Sequence, residues 1–216
     1  MAEKCTVCET RRAKRHCPVL RSSICPLCCG LEREETIPCL FDCEFLNQAR
    51  VHESLRQLRA DEIPHPEILV KEEFLRDHEP LVLVTASAIA EGIDRFDGLI
   101  DSDVREAVES LVQTYKTLGN SGLLYESKPH NPIAAALQEQ VCERVEEFRR
   151  RVHEQAGYAG ILDEHVLGVL LFFQRMELQV NNGRRRGRSF LDAVRRFIPP
   201  PVPADPATIE LWQPGS

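Results

Sequence analysis

Residues 5–43 read CTVCETRRAKRHCPVLRSSICPLCCGLEREETIPCLFDC and hold eight of the chain's nine cysteines. These are Cys5, Cys8, Cys17, Cys25, Cys28, Cys29, Cys39 and Cys43, with Cys142 standing alone. Cys5-x2-Cys8 and Cys25-x2-Cys28 are separated by sixteen residues, a spacing that fits a four-thiolate zinc site. Each pair offers two soft ligands from one tight turn, and the second pair closes a tetrahedron. The simplest assignment puts Cys5, Cys8, Cys25 and Cys28 in site one. Cys17, Cys29, Cys39 and Cys43 remain for site two. Adjacent Cys28 and Cys29 can serve different metals because neighbouring side chains point apart.

The cofactor expected is therefore Zn2+, about two per chain. A single zinc with spare cysteines is an alternative, as is His16 or His52 replacing a thiolate in site two. Common iron–sulfur runs are spaced differently. The alternating ligand order resembles that of RING, B-box and related two-zinc fingers, over the first fifth of the chain. The sequence does not carry the full ligand pattern of those families: Leu20 stands where Cys17 would need its C-x2-C partner. Sets that fill four by four with thiolate point to closed, structural sites, since catalytic zinc keeps an open position.

Residues 1–43 are short of aliphatic side chains and need a staple such as zinc to hold a shape. Beyond them, helical periodicity takes over. The fold expected is mainly α. It comprises a cysteine-rich, cross-brace-like two-zinc module over 1–43, then a connecting helix and proline-containing linker over 44–66. An all-helical domain of about five to seven helices follows over 67–198, and a proline-rich, disordered tail over 199–216. Helices are expected over Glu67–Glu79, ended by Pro80, over Leu81–Phe96, and over Asp103–Leu118, capped by Ser102. Asn131-Pro132 combines an N-cap with a first-turn proline and opens a helix to about Gln155. Asp163 is expected to cap a helix to Val180, apolar nearly all round at Val166–Phe173, and Ser189 to cap a last one to Ile198.

The 216 residues carry 27 basic and 34 acidic groups, a formal charge of −7, which excludes a uniformly basic nucleic-acid binder. Two basic runs remain to be explained: Arg11, Arg12, Lys14 and Arg15, and Arg184, Arg185, Arg186 and Arg188. Either run could contact nucleic-acid phosphates. Equally, the first could offset the charge of about −2 on a Zn(Cys)4 site, and the second could pair with acidic groups of the body. No Gly-x-Ser-x-Gly, P-loop or dinucleotide motif occurs, and no Glu-x-x-His repeat of a di-iron bundle. Cys142 sits beside Val141 on an apolar stripe and reads as a core residue.

Met1-Ala2-Glu3-Lys4 has no apolar signal region, and no run approaches the ~20 apolar residues of a membrane span. A cytoplasmic protein away from membranes is expected, where clustered cysteines bind metal rather than pair. The leading functional expectation is a zinc-binding, non-enzymatic regulatory or scaffold protein with a protein partner, as a monomer or homo-oligomer. An RNA- or DNA-binding regulator using the arginine runs is the alternative. An enzyme with an unrecognised site in the helical domain is the third.

Overall fold

In a computed structural model, residues 3–122, 125–156 and 160–198 are described. The tail expected over 199–216 lies outside them. The protein is mostly helical, with a cysteine-rich N-terminal cluster followed by a helical body. A two-stranded antiparallel hairpin, β1 (Arg15–Cys17) and β2 (Ser22–Ile24), precedes α1 (Pro26–Glu32) and α2 (Glu44–Arg50). The body holds α3 (Glu72–Asp77), α4 (Glu79–Arg95), α5 (Asp101–Ser121), α6 (Pro132–Ala156), α7 (Asp163–Val180) and α8 (Ser189–Phe197).

The apolar stripes of the body face one another. On α5, Val104, Val108, Leu111 and Tyr115 are buried; on α6, Leu137, Val141 and Val145 are. They meet Leu81 and Ile89 of α4, Val169, Leu170 and Leu171 of α7, and Phe190, Leu191 and Val194 of α8 in one core. Each such side chain contributes about 1.5–3 kcal/mol when fully buried. A second, smaller cluster comprises Cys5, Cys17, Ile24, Cys25, Cys28 and Ile37. With so little aliphatic surface, it cannot hold its own shape by burial alone.

Several helix ends differ from expectation for identifiable reasons. Pro80 does not stop α3; it sits in the first turn of α4, where a missing N–H costs nothing. Ser102 is not a cap: α5 begins at Asp101, and Asp103 Oδ2 accepts from the Ile100 N–H at 3.0 Å. Ser189 is the first residue of α8 rather than its cap. The orphan N–H groups of Phe190 and Leu191 instead reach the carboxylate of Asp101 at 3.0 and 3.1 Å. Asn131 does behave as expected, accepting from the Ile133 N–H at 2.9 Å. The connecting helix of the 44–66 segment stops at Arg50. From there the chain runs along α7: the Arg56 N–H donates to the Gln179 carbonyl at 2.8 Å, and Arg175 donates to the carbonyls of Pro64, His65 and Ile68. No helix among the described residues is long and apolar enough to cross a membrane.

Candidate metal centre

The Cys5-x2-Cys8 turn is stitched down at both ends. The Cys5 N–H donates to the Arg11 carbonyl at 2.8 Å, and the Glu9 N–H returns to the Cys5 carbonyl at 2.8 Å. Glu9 closes this turn at φ 54°, the left-handed region. The Thr6 N–H donates to the Ser23 carbonyl at 3.1 Å, joining the turn to the hairpin. The second pair sits at a helix start. Cys25 is the N-cap of α1, Pro26 fills its first turn, and the Cys28 N–H donates to Cys25 Sγ at 3.4 Å. One sulfur thus replaces the usual oxygen cap while it is held for a second use.

These two turns bring the sulfurs of Cys5, Cys8, Cys25 and Cys28 within 4.8 Å of one another, three of the four residues being buried. Four thiolates around one Zn2+ at about 2.3 Å would be about 3.8 Å apart, so a shift below ~1 Å would close the site. The group can hold a metal ion. Its proton chemistry points the same way. The Thr10 hydroxyl, with the N–H groups of Arg11 and Thr10, holds Cys8 down at about 5. The Cys28 N–H lowers Cys25 as well. Burial and the neighbouring thiols push Cys28 up to about 12. Four adjoining sulfurs cannot all ionise alone, and a divalent cation at their centre removes that obstacle.

Along α1 successive residues turn by about 100°, which separates Cys28 from Cys29. Cys29 lines a different, partly open cavity of ≈ 20 Å³, together with Cys17, Cys39, Cys43 and apolar neighbours such as Ile24, Ile37 and Leu46. Cys17 comes from the end of β1, Cys39 from the loop after α1, and Cys43 from the N-cap of α2. This volume is about that of one small ion or water. The four residues expected for site two therefore wall one ion-sized space, though their sulfurs do not converge as closely as the first group's. His16 also lines this cavity, and His52 does not.

Comparison with known proteins finds no matching family model, curated protein or solved structure.

Arginines surround both sulfur groups. Arg11 Nη1 lies 3.8 Å from Cys25 Sγ and 3.9 Å from Cys28 Sγ, and Arg15 Nη1 donates to Cys29 Sγ at 3.3 Å. Arg33, absent from the expected basic sites, adds a contact to Cys29 at 4.0 Å. Arg12 and Lys14 are exposed and carry no ion pair among the described residues. In the second run, Arg184 Nη1 donates to the Arg33 carbonyl at 2.6 Å, and the Arg188 guanidinium stacks 3.7 Å from the Phe41 ring centre. Both tie the body to the cysteine module. Arg185 and Arg186 remain exposed.

The joint between module and body centres on a residue that sequence reading missed. Glu34 is fully buried at φ 53°, and its carboxylate accepts from Arg50 Nη2 at 2.5 Å, Asn182 Nδ2 at 2.8 Å and the Arg188 N–H at 3.0 Å. Its own carbonyl accepts from the Arg186 N–H at 2.7 Å. Arg50 also reaches Glu53 and Ser189. Cys142 packs at the edge of the helical core, away from both groups of sulfurs.

Proposed function

We propose that this chain is a two-zinc, non-enzymatic scaffold protein of a reducing, cytoplasmic setting, whose metal-held module presents a fixed surface to a protein partner. One observation carries the metal reading: four cysteine sulfurs from two separate turns lie within 4.8 Å of one another. Zinc suits an all-sulfur, four-ligand set, and such a set leaves no position open for a substrate. The second zinc is supported by the ≈ 20 Å³ cavity walled by Cys17, Cys29, Cys39 and Cys43.

The protein partner is supported by the module's outer face. Leu27 and Leu31 of α1 are 49% and 60% exposed, and Leu40 is 50% exposed. Apolar side chains on a metal-rigidified frame can bind at a small entropic cost. Nucleic acid is the weaker reading because Arg11, Arg15, Arg184 and Arg188, half of the eight basic residues, already have partners inside the molecule, which leaves Arg12, Lys14, Arg185 and Arg186 exposed.

Metal analysis of the purified chain tests the proposal. About two zinc per chain are expected, and zero metal, or a coloured iron-containing protein, overturns it. For the partner, cross-linking should lose a captured protein when Leu27 and Leu31 are changed to serine. Capture that persists in that variant, or survives only without added salt, argues against this face.

A further inference from the structure

A cavity of ≈ 310 Å³ lies between the first turn of α5, the end of α7 and the loop leading to α8. Four arginines from three separate parts of the chain line it: Arg56, Arg105, Arg184 and Arg185. Like charges gathered in one concave space repel unless something neutralises them. Asp101 is the lining carboxylate, and it is already engaged by the Phe190 and Leu191 N–H groups.

Three of the four arginines are braced from outside the cavity. Arg105 spends Nε and Nη2 on Glu177, both at 2.8 Å, and Glu177 is itself buried. Arg56 pairs with Glu62. Arg184 is held by neutral carbonyl groups, so its charge stays uncompensated. Arg185 has no hydrogen bond or ion pair among the described residues. Glu62, Glu177, Asp101 and Glu109 offset the charge of Arg56 and Arg105, so the uncompensated positive charge sits on Arg184 and Arg185.

We propose that this cavity is a binding site for a small phosphate-bearing anion, held by Arg56, Arg105, Arg184 and Arg185, with the Ser102 hydroxyl beside them. Braced guanidinium forks give up little freedom when they bind. A tetrahedral phosphate offers acceptors in enough directions to engage several forks, where one fork already satisfies a planar carboxylate. The volume is at the lower end for small-molecule sites, which fits a phosphate monoester or a diphosphate group. No aromatic side chain among the described residues lines the cavity, so a stacked nucleic-acid strand is disfavoured. The site stands apart from the sulfur groups and does not rest on the zinc reading.

Titration calorimetry of the full chain with inorganic phosphate, pyrophosphate and a single-stranded oligonucleotide, at fixed ionic strength, tests it. Saturable pyrophosphate or phosphate binding is expected, about tenfold or more weaker in Arg185→Glu, since a hydrogen bond to a charged group contributes about 1.5–3 kcal/mol. Arg185 is exposed, so the variant should keep the wild-type circular dichroism spectrum and melting temperature. Arg12→Glu, on the cysteine module, should bind like wild type. Three results overturn the proposal. These are no saturable binding at millimolar anion, equal weakening by Arg12→Glu, or oligonucleotide binding that is lost in Arg185→Glu and not competed by pyrophosphate.

Discussion

Replacing Glu34 with alanine removes the carboxylate on which the cysteine module, the connecting helix and the body converge. The Glu34 and Arg50 side chains are 0% and 5% exposed, so truncation leaves a buried guanidinium short of its partner. Breaking such a pair costs about 3–5 kcal/mol. Arg50 keeps Glu53 at 2.8 Å and Asp192 at 3.8 Å, which places the cost near the bottom, about 3 kcal/mol. The Arg188 N–H also loses its acceptor, adding about 1 kcal/mol. Asn182 is half-exposed and can turn to water. The sum, about 4 kcal/mol, is a large share of a typical total stability of about 5–15 kcal/mol. For a chain of this size each kcal/mol moves the melting temperature by about 2–4 °C, so a fall of about 8–16 °C is expected. Glu34→Gln keeps the shape and an acceptor, and should lie between the two. Thermal unfolding followed by circular dichroism at saturating zinc is the assay. An alanine variant melting within about 2 °C of wild type refutes the reasoning, since Glu34 would then carry no joint between the two parts.

Burial raises the Asp101 carboxyl to about 7 despite its two backbone N–H donors. The folded state therefore binds the proton more tightly than the unfolded one, and stability falls as pH rises toward 7. Asp101→Asn should gain on wild type by about 1.4 kcal/mol per pH unit up to pH ~7, then level off; urea melts between pH 5.5 and 8.5 read this, and a constant gap refutes it. A Cβ on Gly168 of α7 would overlap the Phe74 ring, so Gly168→Ala should destabilise by about 1–3 kcal/mol, and Phe74→Leu should relieve part of that in the double mutant. Equal losses with and without Phe74 would place the strain elsewhere. Cys5→Ser and Cys17→Ser should each lower bound zinc from about two to about one, with Cys17→Ser leaving the first site filled. Loss of both zincs from either variant would show that the two sites form only together.

What was legible in the sequence was local. Cys25 and Cys28 make their turn within four residues, so their grouping with Cys5 and Cys8 follows from spacing, while the helix that Pro26 opens was not read in the sequence. The apolar stripes of α5 and α6 were equally plain, because helical period depends on neighbours three and four residues away. Glu34 gave no signal. It is one acid in a segment of mixed charge, and its partners Asn182 and Arg188 lie 148 and 154 positions further on. Ser102 and Ser189 looked like caps for a related reason: the acceptor that α8 uses, Asp101, comes from the start of another helix. The arginines show most clearly how such distance decides a role. Arg184 and Arg185 are adjacent and identical in kind, and both line the same cavity. Arg184 is anchored by carbonyls of α1 and its C-cap, while Arg185 has no hydrogen bond or ion pair among the described residues. One arginine of that cavity's wall is therefore anchored on the cysteine module. Those two carbonyls hold in place one of the four charges that would meet an anion there.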